Sequence, residues 1–158
     1  LTLNTLARGR RSLGFLLRES SLMMRRRFVH HARKAGLPLN RSEASLLWHV
    51  SHEPGIIQAT VAQHLDMETI TVARLVDGLE RGGLLERRPH AADRRMRTLW
   101  LTQAGDAAAE RIRGINDIVR AEALDGIPPA QREALLDLLL TVRTNLAQAT
   151  QTERSNAA

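Results

Sequence analysis

Between Ile56 and Thr102 two short helical patterns are followed directly by two short strand patterns, and that order leaves a chain few folds to choose from. In the first helix Val61, Ala62 and Leu65 form a small apolar corner, and Asp66-Met67 makes the turn that follows. In the second, Val72, Leu75, Val76 and Leu79 recur at i, i+3, i+4 and i+7, which puts them on one face. Glu68, Thr69, Thr71 and Arg74 are left on the opposite face, and Gly82-Gly83 supplies a left-handed stop. Leu84 to Pro89 and Met96 to Leu101 read as strands. In the second of them Leu99 and Leu101 alternate with Thr98 and Trp100, so one side is expected to be buried and the other partly wet. The connection between the strands carries Asp93, Arg94 and Arg95.

Helix, turn, helix and a basic hairpin is the order of a winged helix-turn-helix. The flanking segments are helical. Leu13, Leu17, Met24, Phe28 and Ala32 keep helical spacing, with Ser21 and Ala35 in step, until Gly36 and Pro38 end the run. Asn40 stands three residues before Glu43, so each side chain can satisfy the other's exposed backbone donor, and a helix follows through Leu46, Leu47 and Val50 to Glu53. Pro54-Gly55 stops it. Thr102 is placed to cap a long helix carrying Ala108, Ile112, Ile115 and Val119 as far as about Gly126. Pro128-Pro129 opens a last helix with a stripe of Leu135, Leu138, Leu139, Val142 and Leu146, proline being tolerated where its missing donor costs nothing. From Thr150 the residues TQTERSNAA lack periodicity and read as a disordered tail.

The expected fold is therefore mainly α: a winged helix-turn-helix with a two-stranded β-wing and a helical dimerisation domain built from the N- and C-terminal helices. Residues 1–37 form the N-terminal dimerisation helix, 38–102 the winged domain, 103–149 the C-terminal dimerisation helices and 150–158 the tail. The long terminal helices have apolar faces that the small winged domain does not need. A second copy of the chain covers them most economically, and the symmetry of such a dimer sets two recognition helices on two half-sites; the alternative, which periodicity does not separate from it, is intramolecular packing in a monomeric bundle.

Composition narrows the partners. The 158-residue chain carries a formal net charge of +6, and Lys34 is its only lysine, so the excess rests on arginine. Guanidinium forks suit phosphates and guanine edges, which makes double-stranded DNA the expected polyanion. With no cysteine there are no disulfides, thiolate metal sites or thiol nucleophiles. No apolar run approaches the length of a spanning helix, and no small-residue cleavage site follows the N-terminal apolar stretch; a soluble cytoplasmic protein without a membrane partner is expected. Glycine-rich phosphate loops, H-E-x-x-H and nucleophile elbows are absent, so the chain does not read as an enzyme. The competing reading is a basic interaction or scaffold protein whose winged domain does not read DNA.

The segment LDMETITVARLVDGLERGGLLERRPHAADRRMRTLWLT, residues 65–102, resembles the MarR family of winged-helix transcription regulators, and within it the SlyA-like branch. The matching elements are Arg74 in mid-helix, Leu79 with Gly83 and Leu84, the basic pair Arg87-Arg88, Asp93-Arg94-Arg95, and the closing Leu101-Thr102. The resemblance implies a ligand-responsive repressor that binds a pseudo-palindromic operator as a homodimer. It further implies that the second helix enters the major groove, with Arg74 forking onto guanine and Ile70 and Thr71 touching base edges or thymine methyls. Arg94 would enter the adjacent minor groove and read its narrow width. Asp93 and Arg95 would fix the wing's shape, with Arg95 near DNA, while Ser42, Gln58 and Thr69 would meet phosphates.

The sequence departs from the family pattern at two caps, where Ile57 and Glu68 stand in place of the usual Ser or Thr. An effector cleft is expected at Met24, Phe28, His31, Trp48 and Ile112, because helices in those positions line that space in relatives. The apolar side chains and the arginine excess favour a small organic anion as effector, with no cofactor required. His49 and His52 lie three apart with Glu53 beside them, but they do not form a defined ligand pattern, and no metal is expected. His64 and His90 read as surface residues.

Overall fold

The computed structural model describes residues 12–90, 92–93 and 96–156, the last four by backbone alone. Its elements run α1 (Leu13–Lys34), α2 (Arg41–His52), α3 (Gln58–Leu65), α4 (Thr69–Arg81), β1 (Leu85–Pro89), β2 (Arg97–Leu101), α5 (Gln103–Ala123) and α6 (Pro129–Asn156). One compact unit ends at Arg120 and a second begins at Ala121.

In the first unit the winged fold is held by one core. Leu46, Leu47 and Val50 of α2, Val61 of α3, Val72, Val76 and Leu79 of α4, Leu85 of β1 and Leu99 of β2 are all buried. Phe28 and Ala32 from the end of α1 and Ala108, Ile112, Ile115 and Val119 from α5 join it. The first half of α1 contributes nothing to this core. Leu13, Phe15, Leu16, Leu17, Leu22 and Met23 are all exposed, so α1 carries apolar surface that the described chain leaves uncovered.

The local signals explain the helix ends. Ser12 accepts from the Phe15 amide to start α1. At α2 the Asn40 side chain accepts from the amides of Ser42 and Glu43 at 2.9 and 3.0 Å, while Glu43 Oε2 accepts from the Asn40 amide at 2.8 Å. Both halves of the expected capping box are present. Thr102 Oγ1 accepts from the Gly105 amide to cap α5 and donates to the Gly83 carbonyl, tying the helix start to the stop after α4. Gly83 has the left-handed φ of 69° that this stop requires.

Strands β1 and β2 pair antiparallel with Leu85 opposite Leu101, Arg87 opposite Leu99 and Pro89 opposite Arg97. A third segment joins them: Ile57 bridges Thr98, the Gly55 amide donates to the Leu99 carbonyl, and the Leu99 amide donates to Ile56. Gly55 turns the chain here at φ 86°, and a Cβ on it would stand 2.9 Å from the Trp100 ring. This pairing changes the expected burial of β2. Thr98, expected on the wet side, is only 7% exposed, because the bridge and the Trp100 side chain enclose it. Its hydroxyl is nonetheless satisfied, donating to the Arg88 carbonyl at 3.1 Å and accepting from Trp100 Nε1 at 2.9 Å.

In the second unit α6 runs on through Thr150 to Asn156, where an unstructured tail was expected from residue 150. No glycine or proline interrupts the chain after Pro129, and the hydroxyls of Thr150 and Thr152 donate back to the carbonyls of Leu146 and Gln148, so the polar end remains helical without an apolar stripe. No described side chain of α6 is buried, and Leu135, Leu136, Leu138, Leu140 and Leu146 are all exposed.

Candidate nucleic-acid interface

Helix α4 is the best-defined amphipathic element in the winged domain. Val72, Val76 and Leu79 are buried, whereas Thr69, Ile70, Thr71 and Arg74 are exposed on its outer side. Ile70 is 64% exposed, an apolar side chain held out to solvent beside two threonines and an arginine. Arg74 makes no ion pair among the described residues. Neither α3 nor α4 receives a side-chain cap, the residues before them being Ile57 and Glu68. Glu68 therefore leaves the first-turn amides of α4 without a side-chain partner, and those of α3 are in the same state. Gln58 and Thr69 stand at these two starts, Gln58 half-buried and Thr69 exposed. Ser42 is half-buried in the first turn of α2, whose amides Asn40 already occupies. Between α3 and α4, Asp66 takes a left-handed φ of 51°, and an open depression lined by Gln63, Met67 and Thr69 lies beside it.

The wing is organised by a residue the sequence reading set aside. His90 is half-buried, and its Nδ1 accepts from the amides of Ala92 and Asp93 at 3.2 and 3.3 Å. The His90 amide donates to the Met96 carbonyl, and the Met96 amide to the Asp93 carbonyl, closing the turn. Arg94 and Arg95 lie outside the described residues. An imidazole directly after a strand and three residues before a turn aspartate was the available signal for His90. Arg88 lies over the Trp100 ring at 4.6 Å and pairs with Glu86 at 2.5 Å. Arg87, the other half of the basic pair, is turned inward onto α4.

The five residues expected to line an effector cleft are placed unequally. Phe28 and Ile112 are 2% and 1% exposed and belong to the core. Met24 is exposed on α1, and His31 is half-buried within reach of Arg27. Trp48 is at the surface of α2, stacked on His52 at a centroid distance of 4.1 Å with His49 against its edge. Above Phe28 sits the Arg41 guanidinium, 4.8 Å from the ring centroid; burial, then the neighbouring Arg25, lowers its pKa from the ordinary arginine value. His49 also faces His64 of α3, with ring centroids 5.4 Å apart. Among the described residues no three metal-ligating side chains are gathered into a possible metal site. No described helix is long and apolar enough to cross a membrane.

Residues 36–96 match the profile of the MarR family. A curated relative, an HTH-type transcriptional regulator of Bacillus subtilis (strain 168) called YybA, is 27% identical over 70% of this chain and 73% of its own. Among solved structures, the transcriptional regulator PA3341 is 31% identical, with a TM-score of 0.76 over 87% of this chain and 99% of that one. The transcriptional repressor CouR, bound to a 23-mer DNA duplex, is 26% identical, with a TM-score of 0.75 over 90% of this chain and 98% of that one.

Proposed function

This chain belongs to the MarR family of transcriptional regulators, and from that premise we propose that it is a ligand-responsive repressor that binds a pseudo-palindromic operator as a homodimer. The observation that carries the reading is the outer face of α4, where Thr69, Ile70, Thr71 and Arg74 stand exposed in one patch. Exposed isoleucine beside an arginine that has no carboxylate partner among the described residues is poor surface chemistry for a free helix and suits a major groove that offers thymine methyls and guanine O6 and N7. The uncapped starts of α3 and α4 favour phosphates for the same physical reason that any helix N-terminus favours an anion. Gln58 and Thr69 contact phosphates there, and Ser42 adds a contact from α2. Arg94 reads the width of the adjacent minor groove, and Asp93 and Arg95 hold the wing in shape. CouR, a repressor of similar fold and comparable length, is known on a DNA duplex, which supports the same use of this fold here.

Dimerisation is supported by the apolar residues that α1 and α6 leave exposed, since leucines at this density on long helices are normally covered. Residues 1–37 and 103–149 supply that interface. The effector is a small organic anion that enters between the winged domain and the dimerisation helices, with Met24, His31 and Trp48 as the lining residues that are not already closed into the core. Its binding changes the spacing of the two recognition helices, which half-sites about one helical turn apart do not tolerate.

The test is selection of a duplex from a random pool, followed by affinity measurement against scrambled DNA over a salt series. A preference of at least about a thousandfold with a steep log–log salt slope is expected of a specific regulator. Equal binding of selected and scrambled duplexes, lost at physiological salt, would leave only a generic polyanion surface.

A further inference from the structure

The basic pair on β1 is divided by the fold. Arg88 faces outward over Trp100, while Arg87, with a side chain 21% exposed, reaches back onto α4. Its Nη2 lies 2.5 Å from Asp77 Oδ1 and 3.5 Å from the Ala73 carbonyl, and its Nη1 pairs with Glu80 Oε2. The Arg87 amide also donates to Glu80 Oε1 at 3.2 Å, so one carboxylate holds both the backbone and the side chain of the strand residue. Ala73, Asp77 and Glu80 are spaced i, i+4 and i+7 and present their oxygens along one side of the helix. Ala73 directly precedes Arg74, so the guanidinium is anchored in the helical turn that projects Arg74.

Resting on the DNA-reading function above, we propose that Arg87 is a positioning residue that holds the wing at a fixed distance from the recognition face of α4, so that major-groove and minor-groove reading act as one unit. A charge spent on two carboxylates is not available to a phosphate, and those carboxylates would repel one. The planar fork suits the role: it bonds two carboxylates and a carbonyl in fixed directions, which the point charge of a lysine does not do. Without the clamp the wing keeps the buried side chains of β1 and β2 and the backbone bonds at the Gly82–Leu84 turn, but loses the side-chain ties between β1 and the outer turns of α4. Each element could then still meet DNA, but contacts in one groove would no longer constrain contacts in the other.

The experiment compares the full chain with R87Q and with the double variant D77N/E80Q, on three duplexes: the selected operator, the same operator with G·C pairs replacing A·T where the wing lies, and a scrambled sequence. Circular dichroism confirms folding of each. Wild type is expected to prefer the A·T flanks by about tenfold or more, in line with the cost of an unfavourable base pair. In R87Q and in D77N/E80Q that flank preference should shrink to within about twofold, while affinity for scrambled duplex and its salt slope stay unchanged for R87Q. The double variant makes the protein more basic, so tighter binding without loss of flank preference would overturn the proposal. So would a uniform loss on all three duplexes in R87Q with the salt slope reduced by about one, the signature of a phosphate contact. If wild type itself fails to separate operator from scrambled duplex, the DNA-reading function falls and this inference with it; if wild type separates them and R87Q keeps the flank preference, only this inference falls.

Discussion

The Trp100 indole donates to the Thr98 hydroxyl two residues back on the same strand, at 2.9 Å, and that hydroxyl in turn donates to the Arg88 carbonyl across the hairpin at 3.1 Å. Residues two apart on a strand share a face, so the ring lies over the threonine and removes it from water. Thr98→Val keeps the shape and deletes both bonds. The expected cost is about 1–2 kcal/mol, read from the urea midpoint, with a matching red-shift or quenching change in Trp100 fluorescence. A variant as stable as the wild type would mean that the hydroxyl is dispensable there.

Gly105 lies in the first turn of α5, where an added Cβ would come within 1.9 Å of the Leu84 carbonyl oxygen, and that backbone is held by the Thr102 amide at 3.2 Å. Neither element can move without breaking the junction between wing and helix. Gly105→Ala should destabilise the fold by about 3 kcal/mol or more, measured by thermal or chemical denaturation.

Asn40→Ala removes the acceptor for two amides at the start of α2 and leaves Glu43 capping alone. The loss should be about 1 kcal/mol of global stability. Since Asn40 is outside the patch on α4 but holds the Ser42 amide, sequence preference measured well below the melting temperature should be unchanged even where overall affinity falls, which separates this variant from those in the reading face.

Arg74→Ala tests the recognition face directly. If the guanidinium forks onto a guanine, the variant loses about 1–3 kcal/mol on the selected operator and almost nothing on scrambled duplex. Ser42→Ala, at the proposed phosphate contact, should weaken all duplexes alike. Both are read from equilibrium titrations at one fixed salt concentration.

Acid should weaken the fold through His49. Its pKa lies below the ordinary 6.5, chiefly because of burial, then because of His64 and His52, with Glu53 acting in the opposite direction. Below about pH 6.5 the unfolded chain therefore binds a proton that folded His49 resists, so stability present above that pH is lost as pH falls toward the folded value. The urea midpoint of wild type should drop more between about pH 7 and about pH 5.5 than that of His49→Gln.

Helix positions, the capping box at Asn40 and Glu43, the N-cap at Thr102, the stop at Gly83 and the outer face of α4 were all legible in the amino-acid order. Each depends on residues within a turn or two of one another, and period and cap chemistry report such local relationships directly. The helix beyond Thr150 is not legible for a related reason: the apolar stripe ends there, whereas uninterrupted backbone bonding carries α6 to Asn156 without one. What only the tertiary structure decided are relationships between residues far apart in the chain. The pairing of Ile57 with Thr98, the clearance that demands glycine at position 105, and the division of Arg87 from Arg88 all belong here. In sequence the two arginines are equivalent basic neighbours. Alternation on β1 sends one toward Trp100 and the other onto Asp77 and Glu80, and the packing of the strand against α4, which no local pattern encodes, determines which arginine is spent inside the fold.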